Sequence, residues 1–323
     1  MTRMNRRHTL GLLGATAIAG CAPGIPVAQL GEDPFEGGIG GTGIVGVMTG
    51  TGSVLVNGLR VELPSATRIF ANGRRVGDSA LVPGMALSIV ARTRADRFEA
   101  QRIDMDAPLI GVLQRHGGGY AINGTGLSLD GVAAARLVGH RVLGSGVWQA
   151  DGRLRTSLLS AAPDGPDSVS GVLVGSAAQG WQIGQTPLRT TAANRLTAGQ
   201  FAVANGRFAD GVLAADTVQM GRFREGGGTL RQLSVEGYLE PISTAPGFRV
   251  SGLGHSFDQR LALDPFAAQR AVYFGPYDGR FRARRAVLLP EAQIQRRALL
   301  QPDDGAKFAE GLTGPAARAV GTT

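Results

Sequence analysis

Apolar and polar residues alternate along short segments of the chain, with the two-residue period of a half-buried β-strand. Met85, Leu87 and Ile89 alternate with smaller or polar residues, so they predict the buried face of one such strand. Shorter alternating segments precede it, and they predict three further strands at residues 44–50, 53–56 and 59–63.

The last strand of this group contains a change of phase. Phe98 and Ala100 share one face of an ideal strand, whereas Ile103 lies five positions beyond Phe98 and would face the other way. We therefore expect either a β-bulge or a strand that lines two cores.

The same group of strands recurs along the chain. Comparable strand residues surround Gly46, Gly111, Gly171 and Gly237, which are separated by 65, 60 and 66 residues. A segment like Phe98-Glu99-Ala100 closes each unit, and an Asp-Gly pair, typical of a hairpin turn, precedes it in three units of the four. The strand around the glycine and the closing segment occur four times in the same order, which predicts four repeats.

Each repeat is predicted to contain three strands, a short helical turn and a two-stranded hairpin. This is the element order of the OB-fold, a five-stranded Greek-key barrel, although a six-stranded barrel or a small β-sandwich fits the same pattern. Units of about sixty residues bury little apolar surface alone, so we expect them to pack on their neighbours. The sequence thus predicts an all-β chain, a tandem array of four small OB-like β-barrels with an N-terminal signal helix and a short C-terminal helical tail.

The predicted segments follow from these markers and from composition. They are a signal peptide (1–20), a flexible tether (21–42), β-barrel repeats at 43–106, 107–163, 164–222 and 230–290, and a helical or disordered tail (291–323). Residues 221–229 include three consecutive glycines, which predicts a linker between the third and fourth repeats.

Three segments of the first repeat resemble a known family. Gly38-Ile-Gly-Gly-Thr-Gly-Ile-Val-Gly46, Val56-Asn57-Gly58 and Pro83-Gly84 are similar to the repeat called domain of unknown function 5666, which occurs in bacterial lipoproteins. The resemblance decreases through the second and third repeats, and the fourth lacks the Asn-Gly pair after its second strand. It implies an envelope location and a repeated architecture, and it implies no activity.

The N-terminus has the features of a lipoprotein signal peptide. Three arginines among the first eight residues precede an apolar segment at 10–19, and Gly20 stands directly before Cys21. This pattern predicts cleavage between Gly20 and Cys21 and a lipid on Cys21, and the apolar segment is too short to span a bilayer. Residues 5–10 also match a twin-arginine motif, so both export routes stay open. Ala22, in place of Asp, favours sorting to the outer membrane.

Composition excludes several kinds of chemistry. Cys21 is the only cysteine, so a chain acylated there has no thiol for a disulfide or a thiolate metal site. The formal charge of +8 is carried almost entirely by arginine, and a mildly basic surface is compatible with anionic lipid or polysaccharide. We expect no cofactor, no metal and no nucleic-acid partner.

Two short motifs lack the context that their chemistry requires. The Gly-x-Gly-x-x-Gly match that begins at Gly38 should have a strand before it and a helix after it to bind a dinucleotide. Gly77-Asp78-Ser79 is similar to a hydrolase motif, but no histidine follows an aspartate by three positions, and we interpret Asp78 as a helix cap. The histidines of repeats two to four do not have metal-ligand spacing.

Asp104 and Asp106 lie two positions apart and would share one strand face. Paired carboxylates can bind calcium or act in glycoside hydrolysis. A solvated strand end before Pro108 is the simpler interpretation.

Arginines alternate with apolar residues near the end of the fourth repeat, at Arg280, Arg282 and Arg284, and Arg285 follows. The pattern fits a candidate anion-binding stripe on a barrel face. It also fits an edge strand protected by charge, which we favour.

Together these features predict a lipid-anchored, non-enzymatic protein of the cell envelope, in the outer membrane and facing the periplasm or the surface. It would act as a binding or scaffold module, with another envelope protein or an anionic glycan as ligand. The alternative is a periplasmic or surface hydrolase of envelope polysaccharide that uses Asp104 and Asp106. That alternative requires ionisable residues of different repeats to converge in one concave site.

Overall fold

The computed structural model of the protein describes residues 40–50, 53–94, 97–129, 131–241, 248–253 and 270–288. The predicted signal peptide, most of the tether and the tail lie outside these residues. The described part is all-β, as the alternation predicted, and its helical residues form four 3-10 turns of three residues each. In the part so described, no helix is long and apolar enough to cross a membrane.

The strands have the following bounds. The first unit contains β1 (Gly41–Gly50), β2 (Val54–Val56), β3 (Leu59–Glu62), β4 (Arg68–Ala71), β5 (Arg74–Val76), β6 (Ala86–Arg94) and β7 (Arg97–Met105). The second contains β8 (Leu109–His116), β9 (Gly119–Ile122), β10 (Thr125–Leu129), β11 (Arg141–Trp148) and β12 (Leu154–Ala161). The third contains β13 (Asp167–Ser176), β14 (Gly180–Ile183), β15 (Thr186–Arg189), β16 (Phe201–Ala209) and β17 (Val212–Met220). The fourth contains β18 (Leu230–Pro241), β19 (Phe248–Val250), β20 (Arg270–Pro276) and β21 (Arg285–Leu288). The 3-10 turns are Asp78–Ala80, Ala135–Leu137, Ala193–Arg195 and Gly227–Thr229.

Strand pairing closes a five-stranded circuit in each of the first three units. In the first unit the circuit runs from β1 through β2, β3, β7 and β6 back to β1. Strands β8 to β12 and β13 to β17 repeat this order, and in all three circuits the third strand is parallel to the last. The described residues of the fourth unit do not close a circuit, so a fourth barrel stays a prediction.

The expected change of phase in the last strand of the first barrel is a β-bulge. Strand β6 pairs Val90 with Arg102 and Ala91 with Ala100, which leaves Gln101 between two successive pairs. The corresponding strand pairs of the second and third barrels have the same irregularity. The bulge lets one strand contribute side chains to the barrel core on both sides of the shift.

The first strands of the units join the barrels in pairs. Strand β1 pairs in parallel with β18, through residues 41–45 and 230–235, and β8 pairs antiparallel with β13. The first and fourth units therefore share one sheet, and the second and third share another. The core of the first barrel continues into the second through Ile110, Leu143 and Leu158.

The connection between the third and fourth units is not an independent linker, so that prediction is wrong. Within residues 221–229, Arg224 forms an ion pair with Asp106 at 2.9 Å, and Glu225 forms one with Arg102 at 3.0 Å. Arg102 lies on β7, and Asp106 directly follows that strand. The charged residues of the connection, Arg224 and Glu225, thus bind it to the first barrel.

The side chain of one asparagine hydrogen-bonds to the first strands of both unit one and unit four. Asn57 follows β2 with a φ of 58°, and its side-chain amide donates to the carbonyl of Val45 at 3.0 Å and to that of Ser234 at 3.3 Å. The recurring glycine makes room for it, because a Cβ on Gly46 would lie 2.1 Å from the Asn57 Oδ1 atom.

The second barrel repeats this arrangement at its junction with the third. The Asn123 amide donates to the carbonyl of Ile110 at 2.9 Å and to that of Ser168 at 3.1 Å. A Cβ on Gly111 would lie 2.1 Å from the Asn123 Oδ1 atom. In the first two units, the recurring glycine therefore marks the position where one unit is fastened to the next one in its sheet.

Asn123→Gly should destabilise the protein by about 1–3 kcal/mol, because two buried carbonyls lose their donor. Glycine adopts the positive φ of 50° at this turn without strain, so the loss reports the side chain. The matched control is Asp210→Gly at an exposed turn with a φ of 53°, which should change the stability by less than about 0.5 kcal/mol. Urea denaturation measures both, and equal effects would contradict a fastening role for Asn123.

Candidate functional site

Ionisable residues from three units converge on one small cavity. Asp106 follows β7 of the first barrel, Arg222 follows the last strand of the third, and Glu236 lies on β18 of the fourth. The second barrel contributes Trp148 to the wall. The cavity has a volume of about 40 Å³.

Asp104 is buried in an ion pair, so the prediction of a solvated strand end is wrong. Its carboxylate accepts two hydrogen bonds from Arg102, from Nε at 2.7 Å and from Nη2 at 2.8 Å, and Asp104 is only 2 % exposed. Arg102 lies 3.9 Å from the centroid of the Phe70 ring. The hydrogen bond to Asp104 raises the pKa of Arg102 above its ordinary value, so the guanidinium stays charged.

Asp106 is also buried, and only one of its oxygens is paired. Its Oδ2 accepts from Arg224 at 2.9 Å, whereas its Oδ1 has no hydrogen-bond partner among the described residues. Burial raises the pKa of Asp106 above its ordinary value, and the positive charge of Arg224 only partly opposes this effect. Asp106 is the least satisfied ionisable side chain at the cavity.

Arg222 holds three units together from the other side of the cavity. Its guanidinium lies over the Phe201 ring, 3.9 Å from the centroid, and donates to Ser88 Oγ at 3.0 Å. It also donates to the carbonyls of Gly252 and Leu253 in the fourth unit. Loss of hydration lowers the pKa of Arg222 to about 10, so the side chain stays a cation at neutral pH.

Glu236 forms a second buried ion pair at the junction. Its Oε1 lies 2.9 Å from Nε of Arg270, and its Oε2 accepts from the backbone amide of Val47 at 2.7 Å. Both side chains of the pair are at most 1 % exposed. The pair connects β18 and β20 to β1.

These groups form a structural junction and leave little room for catalysis. The carboxylates are buried, and each accepts at least one charged or backbone hydrogen bond. A cavity of about 40 Å³ holds about three water molecules, and it is far too small for a sugar ring. The convergence that the hydrolase alternative required is present, but its geometry does not admit a substrate to Asp104 or Asp106.

A larger groove of about 190 Å³ adjoins the cavity and shares Trp148, Ser251 and Gly252 with it. Its walls come from the turn after β11, from β13 and β14, and from the β18–β19 hairpin. The polar and charged side chains among its lining residues are Gln149, Asp151, Gln182, Glu240, Arg249 and Ser251. This groove is the candidate binding site.

Trp148 is the shared wall between the cavity and the groove. Its indole Nε1 donates to the carbonyl of Ser170 at 3.0 Å, and the residue is 7 % exposed. A Cβ on Gly184 would lie 2.2 Å from the ring, and one on Gly252 would lie 2.8 Å from it. Two glycines from different units therefore hold the ring in place, and the floor of the groove is rigid.

The arginine stripe lies apart from this groove. Arg280, Arg282 and Arg284 precede β21, which begins at Arg285, so they do not alternate along the final strand itself. The two residues between them are fully buried, as the alternation predicted. Arg282 pairs with Asp278, whose pKa is lowered by the backbone hydrogen bond from Arg280 and by this pair. The stripe remains a candidate anion-binding surface.

The remaining sequence motifs find little support as sites. Gly77 caps the first 3-10 turn and Asp78 is its first residue, so the interpretation of Asp78 as the cap is wrong. Among the residues that the structure describes, no group of three His, Cys, Asp or Glu is placed to hold a metal. Cys21 lies outside those residues.

The residues that build the junction were largely missed from sequence. Arg222, Arg224 and Glu225 stand in the segment that we interpreted as a linker because of its glycines. The available signal was Phe223, an aromatic residue among three charges just before the glycine run, which is unusual for a solvated spacer. Phe223 packs against the core shared by the first and fourth units.

Comparisons of the chain with family models, curated proteins and solved structures found no match. The resemblance to domain of unknown function 5666 thus remains a prediction. Any functional conclusion has to come from the geometry of the junction and the groove.

Asp106→Asn should remove a pH dependence from the stability of the protein. Because the pKa of Asp106 is raised on folding, its contribution is complete below the pKa of the unfolded chain and decreases as the pH rises through the raised pKa. Arg222, Arg224 and Asp104 are the charges that act on it. The unfolding free energy of the wild type, minus that of the variant, should therefore fall as the pH rises above about 4, the ordinary pKa of an aspartate, and through the raised pKa of the folded state.

Urea denaturation at several pH values measures this difference. Asp210→Asn, at an exposed turn, gives the slope that loss of a surface carboxylate produces. A difference for Asp106→Asn that is flat with pH, or that rises, would contradict the assignment.

Proposed function

We propose that this chain is a lipid-anchored protein of the cell envelope that binds a partner or ligand without catalysis. In this proposal it contains four units of OB-like type, of which the first three have the closed pairing described above. The ligand is another envelope protein or a glycan, and nucleic acid is not among the partners. The membrane contact is made through the lipid on Cys21.

The groove beside the central junction is the observation that supports binding most directly. Its walls come from three units, and Trp148 of the second unit packs closely against glycines of the third and the fourth. Preformed, rigid concave surfaces are what binding sites require, because little ordering has to occur when the ligand arrives.

The hydrolase alternative has less support from the same geometry. It depends on Asp104 and Asp106, and both are buried. Asp106 lines a cavity that holds only a few waters, and Asp104 does not reach even that cavity. A glycosidase needs its two carboxyl groups on either side of an accessible glycosidic bond. We therefore favour binding over hydrolysis.

Cys21→Ala should abolish incorporation of labelled palmitate and release the protein from the membrane fraction. A single thiol carries the proposed anchor, so the loss should be complete. Labelling and membrane fractionation of cells that express each form measure the effect. Continued labelling of the variant would contradict the lipid anchor.

Photo-crosslinking in intact cells tests the binding function. A photoreactive amino acid replaces Val174, which lies in the groove and is 37 % exposed, and in a second strain it replaces Val112, which is 43 % exposed on the second barrel. A defined crosslinked species from position 174 that is missing from position 112 would support a binding groove. No crosslink at 174, or the same products at both positions, would contradict it.

A further inference from the structure

We propose that the groove takes a neutral oligosaccharide, a chain of uncharged sugar rings. This inference rests on the proposed binding function, and it names the chemical class of the ligand. It differs from the anionic glycan that the net charge of the chain suggested.

The charge of the groove excludes a polyanion as its natural occupant. Of the charged residues that line it, Asp151 and Glu240 are acidic and Arg249 is basic. Arg249 is already paired with Glu240. The lining is therefore slightly acidic although the whole chain is basic, and like charges repel an anionic glycan or a nucleic acid.

The strand pairing of the groove walls argues against an extended peptide. Peptides that bind to β-proteins commonly add a strand to an exposed sheet edge. Strands β11, β13 and β14 each belong to a closed circuit, so they are paired on both sides. These three strands present side chains to a ligand rather than a free row of backbone amides and carbonyls, whereas β19, in the wall from the fourth unit, pairs only with β18 among the described strands.

The side chains in the groove match what a sugar ring presents. The side-chain amide of the exposed residue Gln182 makes no hydrogen bond within the described part of the chain. It therefore has a donor and an acceptor to offer to a pair of sugar hydroxyl groups. Asp151 uses one oxygen to cap the Arg153 amide at 3.0 Å, and its second oxygen is a further acceptor.

Apolar contacts complete the match. Val172 and Val174 are two positions apart on β13 and both line the groove, so their methyl groups face it side by side. Val174 is one of only two large hydrophobic residues that are exposed in the described ranges. Aliphatic side chains of this kind pack against the C–H faces of sugar rings while polar neighbours bind the hydroxyl groups.

The test measures binding of neutral and anionic hexasaccharides to the full-length lipoprotein. The protein is purified in a detergent without a sugar headgroup, because such a headgroup would compete for the groove. Calorimetry is carried out with a panel of neutral hexamers built from glucose, mannose or N-acetylglucosamine, and with hexagalacturonate as the anionic probe. We expect at least one neutral hexamer to bind and hexagalacturonate not to bind at the groove.

Variants locate the binding. Gln182→Ala should weaken the binding of the neutral hexamer about tenfold, since loss of a hydrogen bond of about 1.4 kcal/mol changes Kd by that factor. Gln114→Ala, at an exposed glutamine on β8 outside the groove, is the matched control and should leave Kd within about twofold. Thermal melts of each variant show that the fold is intact.

The outcomes distinguish failure of the proposed ligand class from failure of the proposed binding function. If no neutral hexamer binds, or if Gln182→Ala and Gln114→Ala have the same effect, the inference is overturned. A groove-specific crosslink from position 174 would then still support the binding function. If a neutral hexamer binds and mass spectrometry also detects its cleavage, the ligand class is supported and the non-catalytic function is contradicted.

Discussion

The pairing of buried charges at the centre of the molecule is the constraint on which the rest of the structure depends. Asp106 of the first barrel pairs with Arg224 of the connection that precedes the fourth unit. Glu236 of the fourth unit pairs with Arg270 of the same unit and also accepts the backbone amide of Val47 in the first barrel. Both sites contain little water. A buried charge without its partner is strongly destabilising, on the order of 3–5 kcal/mol, so the units that supply the partners have to stay together. Apolar clusters also span neighbouring units, so the buried charges and these shared cores together hold the described units in one body.

That body determines the shape of the groove. Three different units supply its walls, and a shift of any one of them would change the distances among its polar groups. Trp148 transmits the constraint, because it lies against the cavity on one side and the groove on the other and is held between glycines of two units. The residues that stabilise the fold thus also position the groove walls. A substitution at the junction would alter ligand binding by moving those walls rather than by removing a direct contact.

Much of the local architecture could be predicted from the sequence, whereas the junction could not. Alternation predicted Met85, Leu87 and Ile89 as buried, and the phase change after Phe98 predicted a bulge, because both depend on neighbouring residues. Asp106 looked like part of a solvated strand end because its partner, Arg224, is 118 positions away. The partner of Asp104 is Arg102, only two positions away, but alternation alone does not show that this pair is buried. The glycines of the connection also concealed its role, since glycine is equally typical of a spacer and of a tightly bound turn.

The parallel pairing of β1 with β18 has a consequence for how the chain acquires its structure. The two strands meet across a large separation in sequence, since Val45 pairs with Val235, 190 residues later. At ordinary rates of synthesis, about 10–40 s pass between the appearance of the first strand and that of its last partner. During that interval the backbone groups of residues 41–45 on that side have no strand to bind. The first barrel can close its own circuit once β7 has been made, but the side of β1 that pairs with β18 stays uncovered until the fourth unit appears. That uncovered side is where self-association or a chaperone would first take hold.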